Sequence, residues 1–357
     1  MEITTEIAKE VAEGSTGEIG KLFTWTDPKA ADIGNSAIEF LRALPGPTHI
    51  HLKGSDSSRS RAAVTLMHGN EPSGLFAIYA LLKRGLKPVV DLHLFILNVD
   101  AARQAPGFIY RMLPQHKDMN RCFTEPFGVS EPELVAKNLL EKLRQLQPEC
   151  VIDIHNTSGS SPSFGVTTFM DERHDALVSL FTHRMIVTDL KLGSLMEISE
   201  TMMPTVTIEC GGAQDTESNA LATEGLSRYL TLDDVLSKQH GDMTLEFFHN
   251  PMRLELHEDK DIAYGDHRLI EDGVTLLPSV ENYNFGYVDS ATRLGFVSGE
   301  LANTLSVKDN SGSEKILNYF ELRDGELYPR RKIKLFMVTC NPEIARKDCL
   351  FYLVEPD

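Results

Sequence analysis

The chain has 357 residues, with 35 Lys and Arg against 52 Asp and Glu, a formal net charge of −17. A hydrophobic share of 41% and a charged share of 24% are globular proportions, which excludes a disordered or fibrous chain. The acidic balance argues against nucleic acid and anionic membranes as partners, since both require concentrated Lys and Arg. An anionic substrate would have to be held by a few local Arg residues or by a metal. The length allows two domains, or one large domain with an appendage. Cys122, Cys150, Cys210, Cys340 and Cys349 are odd in number and contain no CxxC pair. They read as five small buried residues in a reducing compartment, with neither a disulfide framework nor a zinc knuckle. The N-terminal MEITTEIAKEVAEG carries acids where a signal peptide needs basic and then apolar residues. No uninterrupted apolar window of membrane-spanning length occurs, so the expectation is a soluble cytoplasmic protein.

From about Thr48 to Leu236 short β-rich runs alternate with helical patterns. Ala63–Met67 (AVTLM) reads as a strand. Pro72 follows where a helix starts readily, because its missing N–H has no partner to lose there. Residues 74–86 continue with apolar residues at helical spacing. Residues 89–99 (VVDLHLFILNV) form a second strand candidate, and residues 132–146 (PELVAKNLLEKLRQL) have the 3.6-residue period. Residues 150–154 (CVIDI) return to strand, residues 206–208 read as a strand end running into Glu209, and residues 217–236 are again helical. Beyond the short Gly54–Ser60 stretch there is no low-complexity segment, and no fixed repeat. This alternation implies a mixed, mainly parallel sheet flanked by helices, with ligands bound past the carboxyl ends of its strands. After about His240 the texture becomes short β runs (274–277, 294–297, 332–338, 350–354) with hardly any helical period. The expected division is a catalytic α/β domain over residues 1–245 and a smaller C-terminal β domain over 246–357.

Four groups of residues stand at the ends of those runs. His68-Gly69-Asn70-Glu71-Pro72 follows the AVTLM strand and lets an imidazole and a carboxylate point at one spot. Both ligand types suit Zn²⁺. Asp153 and His155 lie two apart on one side of a strand, and a ligating His commonly donates its other N–H to a carboxylate. His68, Glu71 and His155 make a His₂Glu set, the arrangement of catalytic zinc sites with one position open. Glu209, before Gly211 and Gly212, fits a general base that takes a proton from water and returns it to a leaving amine. Asn98…Arg103, Arg111 and Asp118-Met119-Asn120-Arg121 form an Arg- and Asn-rich stretch that is unusual in so acidic a chain. Arg pairs carboxylates bidentately, and Arg121 is placed to steady an oxyanion.

Taken in order, His68-x-x-Glu71, Asn98…Asp118-Met119-Asn120-Arg121, Asp153-x-His155 and Glu209-x-Gly211 resemble the succinylglutamate desuccinylase/aspartoacylase family, a branch of the zinc carboxypeptidase superfamily. The resemblance covers about residues 60–215 by motif. It implies one Zn²⁺ per chain on His68, Glu71 and His155, with Glu209 as general base and acid. It also implies Asn120, Arg121 and Arg111 as substrate contacts, Arg121 facing a carbonyl or carboxylate. The activity it implies is hydrolysis of the amide of a small N-acyl amino acid. Two departures bear on the substrate. Relatives place an Arg about seven residues before the Asn-Arg pair, whereas Arg111 stands nine before Asn120 with Pro114 between. Relatives also carry an Arg about eight to ten residues before the base, where this chain reads Ser199-Glu200-Thr201-Met202-Met203-Pro204. The Met203-Pro204 edge points to a less charged pocket. The same zinc chemistry would also serve a carboxypeptidase-like peptide or acyl-peptide hydrolase, and a non-catalytic zinc- or ligand-binding homologue is the alternative outside enzymes.

Overall fold

The computed structural model describes residues 19–238, 244–309, 311–347 and 349–355; the expectations for the N-terminal 14 residues and for part of the 240–250 boundary lie outside them. The chain divides into two compact units. One comprises Met1–Asn156, Ser163–Met185 and Lys191–Glu246; the other comprises Thr157–Pro162, Ile186–Leu190 and Phe247–Asp357.

The elements of the larger unit run in chain order β1 (Phe23–Thr26), α1 (Ala37–Ala43), β2 (Thr48–Leu52), β3 (Asp56–Thr65), α2 (Ser73–Arg84), β4 (Val90–Ile96) and α3 (Val99–Arg103). They continue with α4 (Glu131–Leu146), β5 (Val151–Thr157), β6 (Phe164–Thr167), α5 (Glu172–Ser179), β7 (Arg184–Val187), β8 (Thr205–Gly212) and α6 (Thr216–Thr231); β9 (Glu246–His249) follows, its residues from Phe247 on assigned to the smaller unit. The sheet order is β1-β2-β4-β3-β5-β8-β6-β7-β9. It is mixed: β1–β2, β3–β4 and β3–β5 are parallel, and β2–β4 and β6–β8 antiparallel.

Side-chain alternation along β3 explains the layering. Ala62 and Val64 face a cluster with Val135, Leu139 and Leu143 of α4. Thr65 faces the other way, against α2, and a Cβ placed on Gly74 would lie 1.9 Å from Thr65 Oγ1. Only glycine lets α2 approach the strand so closely. Helices therefore cover both faces, as a buried central strand requires.

Local chemistry sets the helix limits. At α4 the Glu133 carboxylate accepts from the Ser130 N–H at 3.1 Å and from its hydroxyl at 2.6 Å, with Pro132 in the first turn. Gly85 ends α2 in the left-handed conformation. Helix α6 stops at Thr231, five residues before the expected Leu236. The buried Arg61 guanidinium claims its last carbonyls, donating to Tyr229 O at 2.8 Å, Leu232 O at 2.7 Å and also Asp233 O. The reading of residues 63–67 as strand is corrected at both ends. Strand β3 begins at Asp56, inside the stretch read as low-complexity, because β4 supplies its backbone partners. It stops at Thr65, where Leu66 takes φ 56°. Strand β8 likewise runs on through Glu209 to Gly212.

The smaller unit holds two five-stranded sheets. One, built around Met252–Leu256 and Phe351–Val354, pairs its strands antiparallel; the other joins Asp261–Tyr264 to Gly273–Leu276 in parallel and is otherwise antiparallel. Leu254, Val274, Phe320, Leu335 and Phe351 centre its core. All five cysteines are free; four are buried, while Cys340 is only partly so, against the expectation of five buried thiols. Among the described residues no helix is long and apolar enough to cross a membrane.

Candidate metal centre

Three neighbouring strands, β3, β5 and β8, carry the site. The chain leaves β3 through the left-handed Leu66, which redirects it so that His68 turns back over the sheet. Gly69 then fits against α3, where a Cβ would stand 2.6 Å from the Ala102 nitrogen. Glu71 comes just before α2, and His155 and Glu209 project from β5 and β8. His68, Glu71 and His155 are 2%, 4% and 2% exposed, and one donor atom from each lies within 4.8 Å of the others.

Both imidazoles are oriented by carboxylates. His155 Nε2 lies 2.8 Å from Asp153 Oδ2, and His68 Nε2 lies 2.9 Å from Asp118 Oδ1. The two Nδ1 atoms thereby turn toward Glu71, at 2.7 Å from Oε2 for His155 and 2.8 Å from Oε1 for His68. The His68 contact lacks hydrogen-bond geometry, so its Nδ1 is a buried nitrogen without a hydrogen-bond partner. Two imidazole nitrogens and a carboxylate converging in a buried space, each imidazole held from behind by an acid, fit a divalent metal ion.

The electrostatics follow from burial and charge. Burial disfavours the Glu71 carboxylate, but the charges of His68 and His155 outweigh it and hold Glu71 well below the usual range. Burial opposes charge on His155 as well, yet Asp153 and Glu71 raise it well above an ordinary histidine. Burial likewise works against the Asp118 carboxylate; His68, Arg111 and Arg121 nonetheless bring it far down. Glu209 behaves oppositely. Burial, with the Glu71 charge adding to it, pushes its carboxyl up to about 7, and its Oε2 is buried without a hydrogen-bond partner. A carboxyl titrating near neutrality beside such a set is suited to moving a proton.

The structure brings Arg111 to the site by a route the sequence did not show. Its guanidinium donates to Glu71 Oε1 at 3.3 Å and to Asp118 Oδ2 at 2.9 and 3.2 Å, and its carbonyl accepts from the Gly69 N–H at 2.9 Å and from Asn98 Nδ2 at 3.3 Å. Asn120 uses its side-chain oxygen to accept from the Leu195 N–H at 3.2 Å. Arg121 is exposed and donates to the Asn120 carbonyl at 2.8 Å; no bond among the described residues joins it to the three donors. Met202 and Met203 pack half-buried against the cluster that includes Leu195 and Ile198.

Two residues escaped the sequence reading. Asp118 was visible in the Asp-Met-Asn-Arg run but had no assigned role; an acid amid arginines was its signal. Asn156 follows His155 and is buried; its Oδ1 accepts from the Ser73 N–H at 3.0 Å, while Nδ2 donates to Ser73 Oγ at 2.8 Å and Gly211 O at 3.0 Å. It ties the start of α2 to the end of β8, and no spacing rule marks it.

A mixed α/β sheet flanked by helices thus carries, at its central strands, a buried His-Glu-His set that could hold a metal ion. Residues 63–230 match the family profile of the succinylglutamate desuccinylase/aspartoacylase catalytic domain, the family that the sequence motifs resemble. Among solved structures, the succinylglutamate desuccinylase/aspartoacylase of Rhodobacter sphaeroides superposes with TM-score 0.53 at 15% identity, covering 82% of this chain and 83% of that one. The succinylglutamate desuccinylase of Vibrio cholerae gives TM-score 0.53 at 13% identity, over 83% of this chain and 99% of that one. The product-bound ectoine utilization protein of Ruegeria pomeroyi gives 0.50 at 17% identity, over 80% and 82%. No curated protein matches the chain in sequence.

Proposed function

We propose that this protein is a zinc-dependent hydrolase that cleaves the amide bond of a small N-acyl amino acid. The observation that carries this reading is the convergence of His68, Glu71 and His155 in a buried space, with the buried carboxyl of Glu209, pushed up by burial, on the neighbouring strand β8. Those three residues would hold the zinc ion, whose chemistry there is Lewis acidity that polarises an acyl carbonyl and acidifies water.

The chain's own groups do the rest. Glu209 Oε2, unpartnered and buried, accepts the proton of the attacking water and later delivers it to the departing amine nitrogen. Asp118 and Asp153 keep the two imidazoles turned with Nδ1 inward. Arg111 neutralises part of the negative charge that Glu71, Asp118 and Glu209 bring together. Arg121, exposed and in no close ion pair among the described residues, is the guanidinium available for a substrate carbonyl or carboxylate, with the Asn120 amide beside it.

The test is amine release from a panel of N-acyl amino acids and short acyl-peptides by zinc-loaded protein, with Glu209→Gln as the blank. Release from an acyl amino acid, abolished by a chelator and by Glu209→Gln, is the expected result. Turnover confined to peptides would replace the substrate class. Full turnover in Glu209→Gln would remove that residue from its role, and zinc binding with no turnover would favour a binding protein.

A further inference from the structure

A second group of imidazoles lies on the same sheet, on β4 and β2, two and three strands from β5 toward its β1 edge. His49 and His51 are alternate residues of β2 and share one face. The antiparallel register sets His93 of β4 directly opposite His51, with Asp91 two residues away on the same face. His93 pairs with Ala62 of β3. The four side chains line a cleft of about 390 Å³ beside α4.

His49 Nε2 and His93 Nδ1 are 3.0 Å apart, His51 Nε2 lies 2.9 Å from Asp91 Oδ2, and the His51 and His93 rings stack at 4.7 Å. His49 and His93 are only 3% and 5% exposed, and His49 Nδ1 has no hydrogen-bond partner. Burial, reinforced by neighbouring imidazoles and by Lys142, pushes His49 down to about 3 and His93 to about 4. Both rings are therefore neutral at physiological pH, the form in which imidazole binds a metal. No structural or catalytic task described above uses them.

We propose that His49, His51 and His93 form a second divalent-metal site of the imidazole-preferring kind, taking Zn²⁺, Cu²⁺ or Ni²⁺, beside the Asp91 carboxylate. The geometry carries the argument. Two nitrogens at 3.0 Å that now share one proton are spaced so that an ion can take both lone pairs in its place. An alternate-residue His pair on one strand with a third His opposite places three imidazoles on one face of the sheet. The donors presently stand as two hydrogen-bonded pairs, so His51 must rotate away from Asp91 to complete the set. Of the two cations on the cleft, Arg59 is paired with Glu149 and Asp233, and the Lys142 ammonium opposes an incoming ion. The site is thus weaker than the His68–Glu71–His155 centre.

Chelator-stripped protein dialysed against Zn²⁺, with bound metal counted per chain, tests this. Wild type should hold two ions, and the His155→Ala variant one. The His49→Asn/His93→Asn double variant should also hold one, and retain the activity-linked ion. His51→Gln, at a side chain 27% exposed and so safe for folding, should weaken the second ion by about 100-fold or more, since even outer partners of a ligand are worth about 10–100-fold. One ion in wild type, lost in His155→Ala and kept in the double variant, would overturn the proposal, as would unchanged binding in His51→Gln. If His155→Ala instead binds as wild type while the double variant loses an ion, the second site stands and the assignment of the first is what fails.

Discussion

Replacing Asn156 by Ala probes the frame of the centre without touching a donor. The amide makes three bonds: one from the Ser73 N–H, one to Ser73 Oγ and one to Gly211 O. Its orientation is fixed chemically, because a backbone N–H must meet the oxygen and a carbonyl must meet the nitrogen. Ser73 Oγ keeps a partner in Asn219 at 2.8 Å, but the Ser73 N–H and Gly211 C=O are left buried and unpaired. At about 1–3 kcal/mol for each such group, the loss is about 2–6 kcal/mol. That is a large part of the roughly 5–15 kcal/mol by which domains are stable. Urea denaturation of the chelated protein, at constant pH and with m-values compared, measures it. Asn156→Asp supplies a second arm: it keeps the acceptor for Ser73, removes both donors and sets a charge beside Glu71, whose Oε2 lies 3.3 Å from the Asn156 N–H. It should be destabilised at pH 7 and partly recover as the pH falls and the new carboxyl is protonated. An Ala variant within about 0.5 kcal/mol of wild type would refute the claim that this amide joins α2 to β8.

Other consequences are open to the same scrutiny. Glu209 must be ionised to act as a base, and its pKa rises from 4.5 to about 7 without an ion whose charge would lower it. The acid limb of kcat/KM in the zinc-loaded enzyme should therefore fall between those values, activity dropping about tenfold per pH unit below it; a flat profile across that range would refute the assignment. Asp118→Asn takes the anionic partner from His68 and Arg111 and should weaken metal binding about 10–100-fold in a competition titration, whereas unchanged affinity would deny it any part in holding His68. Gly74→Ala drives a methyl into Thr65 and should cost about 1–3 kcal/mol despite the better helix propensity of Ala, seen as a lower Tm. A Tm at or above wild type would show that α2 has room to move.

The sheet and its flanking helices were legible because apolar periodicity reports burial directly: residues 132–146 read as helix and 90–96 as strand without tertiary information, although the strand expected to reach Val99 stops at Ile96, where the turn into α3 begins. What failed was wherever a distant residue decides the outcome. Helix α6 ends early because Arg61, far back in β3, takes its carbonyls, and β3 extends through the Ser-rich Asp56–Ser60 because β4 pairs with it. The candidate centre divides in the same way. The three donors were readable at strand ends, where chemistry-bearing types are out of place. Arg111 turning to Glu71, and Asn156 bridging two elements, depend on loop paths that no local pattern encodes.

The order β3-β5-β8 at the middle of the sheet has a bearing on how the molecule comes into being. Glu71 and His155 touch across 84 residues of chain, and Glu209 comes later still. Contacts of such separation form slowly, because loop closure must precede any reward from pairing. The donor set therefore exists only once the central strands have aligned, and early, partly collapsed chains offer an ion no comparable grip. An ion held there would be captured late in folding and would stabilise the finished arrangement alone. Time-resolved metal uptake during refolding would report completion of the sheet's centre, a step that helix formation, measured by circular dichroism, should precede.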